Sequence, residues 1–168
     1  MQVDDDLLLT WMPRLRRYAR ALAGNRDDAD DLVQDTLERA WAKSGLWRGV
    51  TDMRAWLFGM MHNLHVDGVR RPKLQTFMHD DDIPDIPVAG SQGERLAVLD
   101  LQAALEQLPV EQKDILLLVA LEEMSYAEVA QTLGIPIGTV MSRLSRGRER
   151  LRTLIDRRPD PIRLKVVR

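Results

Sequence analysis

The sequence predicts an all-α protein made of two small helical domains joined by a flexible linker. Apolar residues recur at three- and four-residue spacing in nearly every periodic segment, and no alternating run or hairpin signal competes with them. Between Arg71 and Gly93 that periodicity stops, and Pro72, Pro84, Pro87, Gly90 and the triple acid Asp80-Asp81-Asp82 take its place. Such punctuation marks a linker. The expected division is a first domain over 1–71, an acidic linker over 72–93, a second domain over 94–158 and a basic, disordered tail over 159–168. Flanks of about 70 residues hold a small core but not a generous one, so partners are expected to contribute to their order.

Helices are expected over 6–23, 27–43, 53–71, 94–107, 111–121, 125–133 and 137–157. In the second, Ala29, Leu32, Val33, Thr36, Leu37, Ala40 and Trp41 form one buried stripe. Opposite it, Asp27, Asp31, Asp35 and Glu38 line up with Gln34 beside them. Like charges at this spacing destabilise an isolated helix by about a few tenths of a kcal/mol per pair, so something basic should meet the ridge. For Asp27 and Asp28, capping and dipole complementarity suffice. Those effects fade within a turn, which leaves Asp31, Gln34 and Asp35 as a docking face. In the third helix His62 and His65 lie three apart with no carboxylate or further ligand near them in the chain, so no metal is expected. The run 115–121 is apolar all round; its leucines either fill the core or meet a partner.

The stretch 125–146 reads as a helix-turn-helix. Val129, Ala130 and Leu133 pack its first helix, Gly134 supplies the turn, and Pro136 sits where a helix start tolerates it. In the second helix Ile137, Val140 and Leu144 share one face, while Thr139, Ser142 and Arg146 share the other. Hydroxyls and guanidiniums on a helix suit the DNA major groove. The charge distribution agrees. Net charge is −2, yet 137–168 carries +7 and 25–38 carries −5, which suggests two different partners.

With no cysteine there is neither a disulfide nor a thiolate metal site, which fits a reducing cytoplasm. The longest apolar run is too short to span a bilayer and the acidic start does not resemble a signal peptide, so a cytoplasmic protein without membrane insertion is expected. No nucleophile, paired acid or phosphate-binding glycine loop stands at a recognisable spacing, so neither an enzyme nor a cofactor is expected.

The segment 30–41 resembles region 2.2 of bacterial RNA polymerase sigma factors of the extracytoplasmic-function (ECF) group, and Trp56-Leu57-Phe58 with Asn63, Asp67 and Arg70-Arg71 resembles their region 2.4. The segment 105–150 is similar to their region 4. The motifs stand in the family's order with a linker between them. The resemblance implies that Asp31, Gln34, Asp35 and Glu38 bind core polymerase on a coiled coil of its β′ subunit. It implies that Trp47, Arg48, Arg54, Asn63, Arg70 and Arg71 face the melted promoter −10 element, with Trp47 in its loop as a stacking platform and the arginines on phosphates. Trp41 and Trp56, beside apolar stripes, are expected in the core.

By the same resemblance, Thr139, Ser142, Arg143, Ser145, Arg146 and Arg148 meet the −35 element, where Arg143 and Ser145 flank the groove-facing side and could equally touch phosphate. The β flap and an anti-sigma factor are further implied partners. The alternatives are a conventional helix-turn-helix regulator, which binds DNA without polymerase, and a sigma-like decoy that sequesters an anti-sigma factor.

Overall fold

The computed structural model describes residues 2–70 and 92–157, with side chains from Asp6 onward. Seven α-helices follow in order: α1 (Gln2–Ala23), α2 (Arg26–Ala42), α3 (Met53–Arg70), α4 (Gln92–Glu106), α5 (Val110–Ala120), α6 (Tyr126–Leu133) and α7 (Ile137–Asp156). A 3-10 turn, Ser44–Gly49, stands between α2 and α3 where the sequence reads as loop. No strand occurs among the described residues. Arg71, Asp80-Asp81-Asp82 and the tail over 159–168 lie outside them.

Local chemistry sets the helix ends. Asn25 caps α2 by accepting the Asp28 N–H at 2.8 Å, and its amide donates to the Asp28 carboxylate. The cap is therefore Asn25, not the aspartates, which occupy the first turn where negative charge meets the helix dipole. Ser125 and Glu128 form a reciprocal capping box at the start of α6. The Ser125 backbone N–H, donated to the Glu128 carboxylate, holds Glu128 below its ordinary value, and Arg54 acts in the same direction. Gly134 ends α6 at φ +66°, returning its N–H to the Ala130 carbonyl, and Pro136 then opens α7.

In the first half, α1, α2 and α3 enclose Leu15, Tyr18, Leu22, Ala29, Val33, Leu57, Phe58 and Met61. Tyr18 meets Phe58 edge-on, with ring centroids 5.1 Å apart. In the second half, Ile115, Leu118, Val129, Val140 and Leu144 are buried where α5, α6 and α7 converge. Leu116 and Leu117 belong to this core too, so most of the apolar run is interior. The halves close on each other, with α1 against α5 and α3 against α6, and their buried residues form one continuous cluster.

Gly134→Ala should lower stability by about 1 kcal/mol, because an alanine pays for the left-handed conformation. Gly45 has an open surround and no positive φ, so Gly45→Ala should leave the urea midpoint nearly unchanged.

Candidate functional site

Three surfaces carry the chemistry. On α2, burial of Ala29, Leu32, Val33, Thr36 and Ala40 turns Asp31, Gln34, Asp35 and Glu38 to solvent together. Gln34 Nε2 donates to Glu38 Oε1 at 2.9 Å, and Thr36 returns its hydroxyl to the Leu32 carbonyl inside the core. The acids are thus displayed as a ridge, because the stripe behind them leaves no other orientation. Arg16, Arg20 and Arg26 border the neighbouring cleft between α1 and α2, with Arg26 Nε 3.9 Å from Asp30.

On α7, Val140 and Leu144 are buried, and Ser142, Ser145, Arg146 and Arg148 are exposed. Thr139 and Arg143 are half-buried at the margin. Ser142 donates to the Thr139 carbonyl, and Arg148 reaches the Tyr126 hydroxyl at 3.5 Å. Ile137, expected on the packed face, is instead 48% exposed. It stands in the first turn, directly after Pro136, where α7 has only begun to meet its neighbours.

The third surface runs along α3 and the 3-10 turn before it. Arg48, Asn63 and Arg70 are exposed there. The tryptophans are not arranged as the sequence suggests. Trp47 is only 7% exposed, because the 3-10 turn folds its ring inward and its indole N–H donates to the Ala40 carbonyl at 2.9 Å. A ring so enclosed offers no stacking face, which corrects its reading as a platform. Trp41, expected in the core, is 48% exposed and meets Trp47 edge-on. Trp56 is half-buried against the core as expected.

Arg54 is also engaged elsewhere. Its guanidinium lies 2.8 Å from a Glu128 oxygen and donates to the Glu122 carbonyl at 3.2 Å, so it bridges the two halves. Beside it, Glu122 is fully buried, with Arg14 2.5 Å and Arg17 3.3 Å from its carboxylate. Arg17 also donates to the Leu121 carbonyl at 2.7 Å. His62 Nδ1 pairs with the buried Asp114 carboxylate. The histidine thus has a carboxylate partner after all, supplied from 52 residues away, though no group of three or more metal-ligating side chains assembles among the described residues. Sequence reasoning missed this whole polar seam. Its only trace was acidic and basic residues scattered on otherwise apolar helices.

An exposed acidic ridge on α2 stands with a basic helix-turn-helix of DNA-binding type, α6 and α7, on one all-α chain. Family models agree: the Sigma2 domain of PhyR matches residues 8–62, and Sigma-70 region 4 matches residues 99–151. The chain is 36% identical over 154 residues to the ECF RNA polymerase sigma factor EcfG of Rhodopseudomonas palustris, covering 90% of this chain and 83% of that protein. It is 33% identical over 151 residues to the ECF sigma factor SigM of Mycobacterium tuberculosis, covering 90% and 76%. A solved structure of the sigma factor RpoE of Bartonella quintana, in complex with the anti-sigma factor NepR, superposes with a TM-score of 0.77 at 30% identity, covering 95% of this chain and all of that one. CnrH, solved with the cytosolic domain of CnrY, gives 0.65 at 26% identity, covering 92% and 88%. The chain belongs to the ECF RNA polymerase sigma factors. Among the described residues no helix is long and apolar enough to cross a membrane.

The tryptophan assignment is measurable by stability alone. Trp47→Ala should cost about 3 to 5 kcal/mol in urea unfolding, as loss of a buried aromatic does. Trp41→Ala should cost well under half as much, reversing the order that the sequence suggests.

Proposed function

We propose that this protein docks on core RNA polymerase through Asp31, Gln34, Asp35 and Glu38, and directs it to a restricted set of promoters. The carrying observation is the α2 ridge: four polar side chains exposed together on one helix face, with like charges held at repulsive spacing. A basic coiled coil of the β′ subunit would relieve that repulsion. The exposed α7 face supports −35 recognition, with Ser142 and Arg146 facing the groove and Thr139, Arg143, Ser145 and Arg148 at its edges. Arg48, Asn63, Arg70 and Arg71 are proposed to hold the −10 strand, joined by Arg54 once it is released from Glu128. Region 2 is taken to span 1–71 and region 4 to span 94–158, with the acidic linker between them. The protein itself catalyses nothing. Bond formation belongs to the polymerase, which places the protein in the cytoplasm.

Control by an anti-sigma factor completes the reading. The complex of RpoE with NepR supports it, because this chain matches that sigma factor along nearly its whole length. A partner touching both domains would gain from the effective concentration that a linker provides.

Asp31→Lys combined with Asp35→Lys should abolish binding to core polymerase while helical content by circular dichroism stays native, since like charges across an interface cost several kcal/mol. Retained affinity would remove the ridge from the docking surface. In transcription from promoter libraries, Arg146→Ala and Arg143→Ala should each lose about 1 to 3 kcal/mol of discrimination at the base pair contacted. A residue that holds only phosphate should instead weaken all promoters alike and lower the salt slope by about one unit.

A further inference from the structure

We propose that Ile137 and Met141 form an apolar pair at the start of α7 that recognises thymine 5-methyl groups in the −35 element. This rests on α7 being the −35 reader, as proposed above.

The helix leaves two large apolar side chains in water at the end that would meet the bases. Ile137 is 48% and Met141 52% exposed, and neither joins the core cluster. Single exposed apolar residues are common on any surface. These two stand four apart, so they lie one above the other on one face, within the first two turns of α7. Helix-turn-helix proteins contact base edges with that end of their second helix. The pair is also continuous with the polar face. Met141 borders a cleft of about 460 Å³ together with Ser145 and Arg148, and Ser142 follows it directly in the chain.

Base chemistry selects the occupant. The α7 residues proposed above for −35 contact are all threonine, serine or arginine, whose hydroxyls and guanidiniums match the hydrogen-bonding groups of base edges and phosphates. Among unmodified bases, the thymine 5-methyl is the one apolar group presented in the major groove. Contact between it and an exposed apolar side chain removes water from both. The unbranched thioether of Met141 adapts readily to such a contact. At 1.5 Å per residue the two side chains stand about 6 Å apart along the helix. A base step is about 3.4 Å, so they meet different base pairs, about two steps apart.

Promoter selection with holoenzyme, assembled from the full-length protein and core polymerase, tests the pair on a duplex library randomised across the −35 element. Selected duplexes should hold thymine, on either strand, at two fixed base pairs one to three steps apart. Deoxyuridine in place of either thymine removes only the methyl, and should lower wild-type affinity about fourfold, as loss of one buried methyl group does. Met141→Gln, similar in length and helix propensity, should bind the thymine and uracil duplexes equally at one of the two positions. Met141→Leu should restore the preference there. Ile137→Ala should lose discrimination at the other position alone. Because both residues are exposed, every variant should keep a urea midpoint near that of the wild type.

A defined −35 sequence that Arg146→Ala relaxes, but that shows no penalty for deoxyuridine, would overturn the apolar pair and leave α7 as the reader. Selection of no −35 sequence at all would remove both readings. A deoxyuridine penalty equally large in Met141→Gln and Ile137→Ala as in the wild type would also overturn the pair. So would a loss of core affinity in these variants without loss of discrimination, which would make the patch a polymerase contact.

Discussion

The arrangement of the molecule turns on the burial of one carboxylate. Glu122 has left water entirely, and an ionised group so placed costs several kcal/mol unless it is paired and hydrogen-bonded. Its partners, Arg14 and Arg17, sit on the first helix of the chain. The second half therefore cannot separate without exposing or stranding this charge. The backbone is bent to the same end. Glu123 takes φ +53°, a left-handed conformation that costs a side-chain-bearing residue about 1 kcal/mol. Across that turn Glu122 is buried and Glu123 exposed. Strain at a single residue thus accompanies the placement of the acid on which the seam depends.

Other groups follow from the same burial. The Tyr18 hydroxyl is pushed well above its usual range, first by desolvation and then by the nearby Asp114 and Glu122 charges, so it stays neutral. Burial lowers Lys113, although Asp114 and Glu106 act to restore its charge. A polar seam of this kind has few alternative pairings, since each carboxylate is met by particular cations in a confined space. It selects one mutual orientation of the domains where a purely apolar contact would tolerate sliding. The surfaces proposed for polymerase and for the −35 element stay outside it, on the exposed side of α2 and along α7. The exception is Arg54, shared between the seam and the proposed −10 surface.

Much of this was legible in the residues. Helix positions followed from apolar spacing, because a helix is a local object whose period is written in the chain. The ridge of Asp31, Asp35 and Glu38 and most of the exposed side of α7 were legible for the same reason: once a buried stripe is known, the opposite face is known. Gly134 was identifiable as a turn because few other residues adopt its backbone conformation. The tryptophans were not legible. Trp47 and Trp41 lie six residues apart across a 3-10 turn that no periodic signal announced, and that turn decides which ring is enclosed.

By itself the sequence determined the fold class, the helices, the family and the two oppositely charged surfaces, all of which rest on spacings of a few residues. Only the tertiary structure decided how the halves meet. The partners in the seam stand 52 residues apart for His62 and Asp114, 74 for Arg54 and Glu128, and 105 for Arg17 and Glu122. No local pattern links such positions, because their attraction depends on water being excluded around them, and that happens only after the helices have packed.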